Sequence, residues 1–320
     1  MIGLAYQLSP SLKGSLQKIE HFRRQIILTP LSPKTEIRLR WEAMINRIYW
    51  SLVLSSNPLT KAEMVKLLIS DQRKKRLTPE EQEAIHYKKA LDYISQNWLV
   101  TSDRVTTKVV VALHDFACPG RFKGSEAALR QVLDYLQAGS AGSLRASSEN
   151  PVIQAGVAQI QLITLAPFTD GNGRTARLLA LLFLYKAGFD FRGLLVLEEY
   201  FRRDLTAFRE ATENVSKSQN LTLWLEYFAK GVAAQLEKAL EDIASSRSKT
   251  DLPTSFWNLN DRQKEILTIL DKPDATITNK KVQKQFKVSQ ITASRDLSRL
   301  ADLGLIFARG KGRSIYYTKV

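Results

Sequence analysis

The chain has 320 residues, of which 44% are hydrophobic and 25% charged, with a net charge of +15 at pH 7. That balance suits globular domains with a substantial core, and no apolar run approaches the ~20 residues that a membrane-spanning helix needs. One cysteine, Cys118, excludes an internal disulfide and fits a reducing cytoplasm. The start, Met1-Ile2-Gly3-Leu4-Ala5, lacks the basic region of a secretory signal. His21, His86 and His114 are scattered, and no cysteine joins them at zinc-ligand spacing. The excess of basic charge points to an anionic partner, nucleic acid being the commonest, with a generally basic surface as the plainer alternative.

In chain order, Leu16 to Gln25 predicts an amphipathic helix that Pro30 and Pro33 interrupt. A helical pattern resumes from Lys34 to Leu54 and stops at Pro58. Thr60 is spaced to cap the next helix, with Glu63 at the capping-box position. Thr78-Pro79-Glu80-Glu81 opens a helix that runs to residue 97. Further helices are predicted over 101–117, 125–138, 151–165, 174–187, 198–217 and 220–243. Residues 244–254 are small, polar and proline-containing, which reads as a linker. Beyond it come helices over 261–270, 279–286 and 289–302, the last ended by Gly304. Short strands are predicted over 305–307 and 314–317, around the basic, glycine-broken run Arg309-Gly310-Lys311-Gly312-Arg313.

The most specific run is Pro167-Phe168-Thr169-Asp170-Gly171-Asn172-Gly173-Arg174-Thr175-Ala176-Arg177, leading straight into an apolar helix. Two glycines around a small amide residue let backbone N–H groups converge on one concavity, to which the helix adds its positive end. Gly171, Asn172, Gly173, Arg174 and Arg177 are thus candidate phosphate-binding residues, the arginines one turn apart and able to fork onto the same phosphate. Asp170 is the candidate ligand of a divalent cation on that phosphate. A plain helix-entry turn is the bland alternative.

This run resembles the signature of the Fic family, His-x-Phe-x-Asp/Glu-Gly-Asn-Gly-Arg-x-x-Arg. The resemblance implies a mainly α fold, a Fic-type helical bundle, with ATP and Mg2+ as cofactors and transfer of AMP to a hydroxyl of a protein target. It matches from Pro167 onward, but Ala166 stands where the family's catalytic histidine belongs. That histidine is the general base, and alanine has no titratable group to replace it. In many Fic proteins a helix carrying Ser/Thr-x-x-x-Glu-Gly inhibits by pairing its glutamate with the second motif arginine. Ser51 to Thr60 is similar to that segment and puts Ser55 in the glutamate's place, so a charge-assisted fork with Arg177 is not expected. The family's flap, a hairpin that docks the target after a Leu-His pair, would follow Leu113-His114. Cys118 to Gly124 is too short for a full hairpin. His114 and Cys118 read as packed structural residues. An engineered inactivating change would account for Ala166 alone, but not for the missing glutamate and the short flap as well.

Residues 255–320 carry 13 lysines and arginines against 6 aspartates and glutamates, a net +7. Three helices and a basic hairpin resemble the winged helix-turn-helix of bacterial transcriptional regulators. Gln290, Thr292 and Ser294 near the start of the third helix are suited to base edges or phosphates, with the basic Arg295 on the same helix, and by that resemblance Arg309, Lys311 and Arg313 of the wing would touch the DNA backbone or minor groove. The same fold also serves protein pairing. The chain is therefore read as an N-terminal helical region (1–100), a Fic core (101–243), a linker (244–254) and a winged helix (255–320). The expected function is a nucleotide-binding, cytoplasmic DNA-binding regulator deficient in AMP transfer, with homodimerisation open. The alternatives are an active or inactivated protein AMP-transferase whose winged helix recruits targets, and a component of a toxin–antitoxin-like complex.

Overall fold

The structure, a computed structural model, describes residues 5–69, 77–118, 120–137, 150–246, 259–270, 275–303, 305–310 and 315–319. It is mainly helical and divides into two compact units, Met1–Pro30 with Glu42–Ser248, and Leu31–Trp41 with Lys249–Val320.

In the first unit, α1 (Pro10–Leu28) starts where the Ser9 hydroxyl caps Leu12 N–H, well before the predicted Leu16. It packs along α11 (Thr222–Ser246), which runs beyond the expected residue 243. Helix α2 (Pro33–Val53) leads to a turn, and α3 (Lys61–Ile69) opens on the expected Thr60–Glu63 box. Helix α4 (Pro79–Asn97) begins with a complete capping box between Thr78 and Glu81. Helix α5 (Thr107–Ala117) starts later than predicted, because residues 101–106 stay irregular after Val100 adopts a left-handed φ of 49°. Next come α6 (Glu126–Gln137), α7 (Pro151–Leu165) and α8 (Asn172–Lys186). The helix predicted over 198–217 is two, α9 (Leu197–Arg203) and α10 (Leu205–Ser218), divided at Asp204, whose carboxylate caps Ala207 N–H.

Helix α8 is the axis of this unit. It is buried on every side from Arg174 to Tyr185, the run from Leu178 to Leu184 being apolar all round, and α4, α5 and α7 surround it. Helix α7 is buried likewise and meets α11 through Gly156, whose carbonyl accepts from Trp224 Nε1 at 2.8 Å. A Cβ on Gly156 would lie 3.0 Å from Leu225 Cδ2 and 3.1 Å from Phe228 Cδ1, so a side chain there would press on α11 where the two helices approach closely.

In the second unit, α12 (Asp261–Leu270), α13 (Asn279–Phe286) and α14 (Gln290–Asp302) enclose a core of Ile266, Leu270, Val282, Ala293, Leu297 and Leu300. Strands β1 (Ile306–Arg309) and β2 (Tyr316–Lys319) pair antiparallel, one to two residues later than predicted, and Ile277 bridges to Tyr317 on the far side of β2. Buried Asp296 ties α14 to α12, accepting from Gln263 Nε2 at 2.9 Å and pairing with Arg262. Gly304 and most of the expected linker lie outside the described residues.

Candidate functional site

The motif loop joins α7 to α8. Helix α7 ends at Ala166, an exposed residue in the left-handed region with φ 41° and ψ 56°. The chain then turns at Gly171, also left-handed at φ 74°, and enters α8 at Asn172. Gly171 is fixed by space as well as by φ, since a Cβ there would lie 2.5 Å from Cys118 Sγ. Gly173, expected to help the turn, is instead helical, because α8 begins two residues earlier than predicted.

Three contacts hold the loop in shape. The Asn172 amide closes on the Phe168 backbone, accepting from its N–H and donating to its C=O, both at 2.9 Å. His114, buried beneath, stacks on the Phe168 ring with centroids 3.8 Å apart, and its Nε2 lies 3.0 Å from Asp170 O. The stretch 121–124 runs beside the loop: Thr169 N–H donates to Arg121 O and Lys123 N–H to Pro167 O, each at 2.9 Å, with a bridge between Phe122 and Phe168. Where the family resemblance would place a flap, the described chain is a single strand-like segment laid against the motif itself. Burial pushes the Cys118 thiol up to about 11, so it is a packed neutral group.

With the Asn172 side chain engaged and Gly171 offering none, the first turn of α8 has no side-chain cap. Its leading N–H groups have no intrahelical acceptor and mark the positive end of the helix dipole.

The two motif arginines diverge rather than fork together. Arg174 is buried, with Nη1 3.0 Å from Glu83 Oε1 of α4 and Nη2 3.4 Å from Asp170 Oδ2. Arg177 turns the other way, into the end of α2. Its Nε donates to Ser51 Oγ at 3.0 Å, and its Nη2 donates to Ser51 O at 2.9 Å and to Ser55 Oγ at 3.4 Å. Ser51 and Ser55 therefore meet Arg177 through a carbonyl and hydroxyls, without a carboxylate. Below Arg177 a small cavity is lined by Arg47, Gln159, Glu198 and apolar residues of α8 and α9. Burial raises the Glu198 carboxyl above its ordinary range, against the pull of Arg47 and Arg177.

Sequence reasoning missed Glu83 and Glu198. Glu83 sits in a helix rich in glutamate and carries no local signal. Glu198 reads as one of two acids in a first turn, where acids are ordinary.

In the second unit Ser289 caps α14, and Gln290, Ser294 and Arg295 are exposed along it, whereas Thr292 is half-buried with its hydroxyl 3.0 Å from Ser289 Oγ. Arg309 is exposed on β1 with its guanidinium 5.8 Å above the Phe307 ring. Lys311 and Arg313 lie outside the described residues.

Residues 76–184 match the Fic/DOC family, and that span holds α4 to α8 and the whole motif loop. Over 196 residues the chain is 26% identical to a "Protein adenylyltransferase Fic" of Nematostella vectensis, covering 54% of this chain and 45% of that protein. It is 30% identical over 121 residues to "Protein adenylyltransferase fic-1" of Caenorhabditis elegans, covering 37% of this chain and 21% of the relative. The chain thus spans less than half the length of these curated relatives. Among solved structures, a Fic family protein from Desulfovibrio desulfuricans G20 superposes with a TM-score of 0.58 at 16% identity, over 98% of this chain and 97% of that one. Fic-1 of C. elegans gives a TM-score of 0.59 at 20% identity, over 73% of each chain. These likenesses establish the fold. Among the described residues no helix is long and apolar enough to cross a membrane.

Proposed function

We propose that this protein is an ATP-binding protein of the adenylyltransferase class whose AMP transfer is weak. The observation that carries the reading is the uncapped start of α8 behind the fixed Gly171 turn, an anion site built from backbone amides. The residues fit the nucleotide: the leading amides from Gly171 to Gly173 would hold phosphate oxygens, with Arg174 and Arg177 as the flanking cations. Magnesium needs few protein ligands when phosphates supply the rest, and the exposed carboxylate of Asp170 suits that role. Bound magnesium ATP would supply the electrophilic phosphorus for AMP transfer. The names of the relatives support the class.

The weakness follows from Ala166. A target hydroxyl would need its proton taken as it attacks, and the side chain at the end of α7 cannot accept one. His114 is no substitute, since it is buried and its Nε2 is engaged with Asp170 O. Calorimetry with magnesium ATP should show binding that Arg174→Ala weakens; equal binding, or none in either, overturns the reading. Labelled-ATP transfer should be near background and rise with Ala166→His, on the ~10²–10⁴-fold scale of a general base. Robust labelling by the unaltered chain would show that transfer proceeds without that base.

A second reading concerns residues 259–319, which we interpret as a DNA-binding winged helix. It rests on the capped α14 with Gln290, Ser294 and Arg295 exposed along it. Selection from a random duplex pool with the full chain tests it. Enrichment lost on Gln290→Ala supports base reading, and no enriched duplex favours protein pairing instead.

A further inference from the structure

Arg174 is held by a carboxylate that neither the motif nor the inhibitory-segment resemblance includes. Glu83 Oε1 lies 3.0 Å from Arg174 Nη1, and Glu83 Oε2 accepts from Asn57 Nδ2 at 2.9 Å. Asn57 is itself fixed, donating to Glu80 O at 3.3 Å and accepting from Leu59 N–H at 3.1 Å. Both motif arginines thus answer to one short stretch of chain: Arg177 directly through Ser51 and Ser55, and Arg174 through Asn57 and Glu83. The Arg174 guanidinium is nevertheless incompletely satisfied. It is 4% exposed, and its Nε has no hydrogen-bond partner among the described residues. A buried cation with an unfilled donor, in the first turn of an uncapped helix, is matched to an incoming oxyanion.

We propose that Glu83 is an internal competitor of phosphate for Arg174, kept in place by Asn57, and that it sets the affinity of the site. The inference rests on the ATP reading above. An incoming phosphate meets a carboxylate already on its arginine, and like charges cannot share that guanidinium without cost. Glu83 is therefore a positioning residue that holds Arg174 in reserve and raises the nucleotide concentration needed to fill the loop.

Calorimetry with magnesium ATP on the full chain tests this, using wild type, Glu83→Gln, Glu83→Ala and Glu83→Gln combined with Arg174→Ala, each checked by its melting curve. Glu83→Gln should bind about tenfold more tightly, the scale of one charge-assisted hydrogen bond. In the Arg174→Ala background the same change should do nothing, an outcome that a purely structural role for Glu83 would not give. Glu83→Ala should act in the same direction, which keeps the test open should the glutamine variant fold poorly. Unchanged or weaker binding by the Glu83 variants, with wild type binding ATP, overturns the competitor role and leaves the ATP reading standing. Absence of binding in every variant overturns the ATP reading and the competitor with it.

Discussion

At the scale of single residues, the motif loop depends on atoms that are missing as much as on those present. Gly171 combines a left-handed φ with a Cβ position already occupied by Cys118. Gly171→Ala should therefore cost about 1–3 kcal/mol of stability, the usual scale of such backbone strain, and abolish nucleotide binding. A melting temperature equal to wild type would show that the loop relaxes freely. Glu198 gives a prediction with a sign. Its carboxyl is raised by burial, so the folded state holds the proton more tightly than the unfolded one. That contribution is fully present below the ordinary carboxylate range and is lost as pH rises through the folded value. Glu198→Gln should melt higher than wild type at pH 8, with the difference shrinking towards pH 4, in approximate steps read by calorimetry. A constant difference across that range would mean that Glu198 is ionised throughout.

At the scale of elements, helix starts explain where the functional side chains sit. Helix α4 delivers Glu83 to Arg174 because Thr78 and Glu81 close a reciprocal box at its first turn. Thr78→Ala should cost about 1 kcal/mol, seen as a lower denaturant midpoint with unchanged slope. A neutral effect would indicate that packing alone fixes the helix entry. Helix α8 shows the opposite device, a start left uncapped while Asn172 spends its amide on Phe168. Local chemistry made these starts readable, since hydroxyl and acid spacing act within one turn. Asp204 was less readable: an acid inside an apparently continuous helical pattern became a cap because the chain bends there.

For the whole molecule, the charge of +15 is shared between units of different kinds, one built around a buried α8 and one around a small three-helix core. If the second unit reads DNA, binding of the full chain to duplex should fall steeply with salt, because each neutralised phosphate releases counterion with a log–log slope of about −0.9. Arg309→Ala should flatten that slope by about one contact and weaken all sequences alike. Affinity indifferent to salt would assign the unit to protein pairing.

The sequence by itself determined the helical class, most helix spans, the motif loop and the absence of a base at Ala166, since each is written in neighbouring residues through periodicity, capping or a fixed spacing. It also brought Ser51 and Ser55 into consideration beside Arg177. Only the tertiary structure decided that Arg174 and Arg177 part company, that residues 121–124 pair with the motif, and that Glu83 of α4 joins Asp170 as a carboxylate on Arg174. Those facts join side chains far apart in the chain, and no local rule ranks one glutamate of an acid-rich helix above the next. Packing around α8 makes that choice, because burial leaves each arginine only the acceptors that its neighbouring helices present.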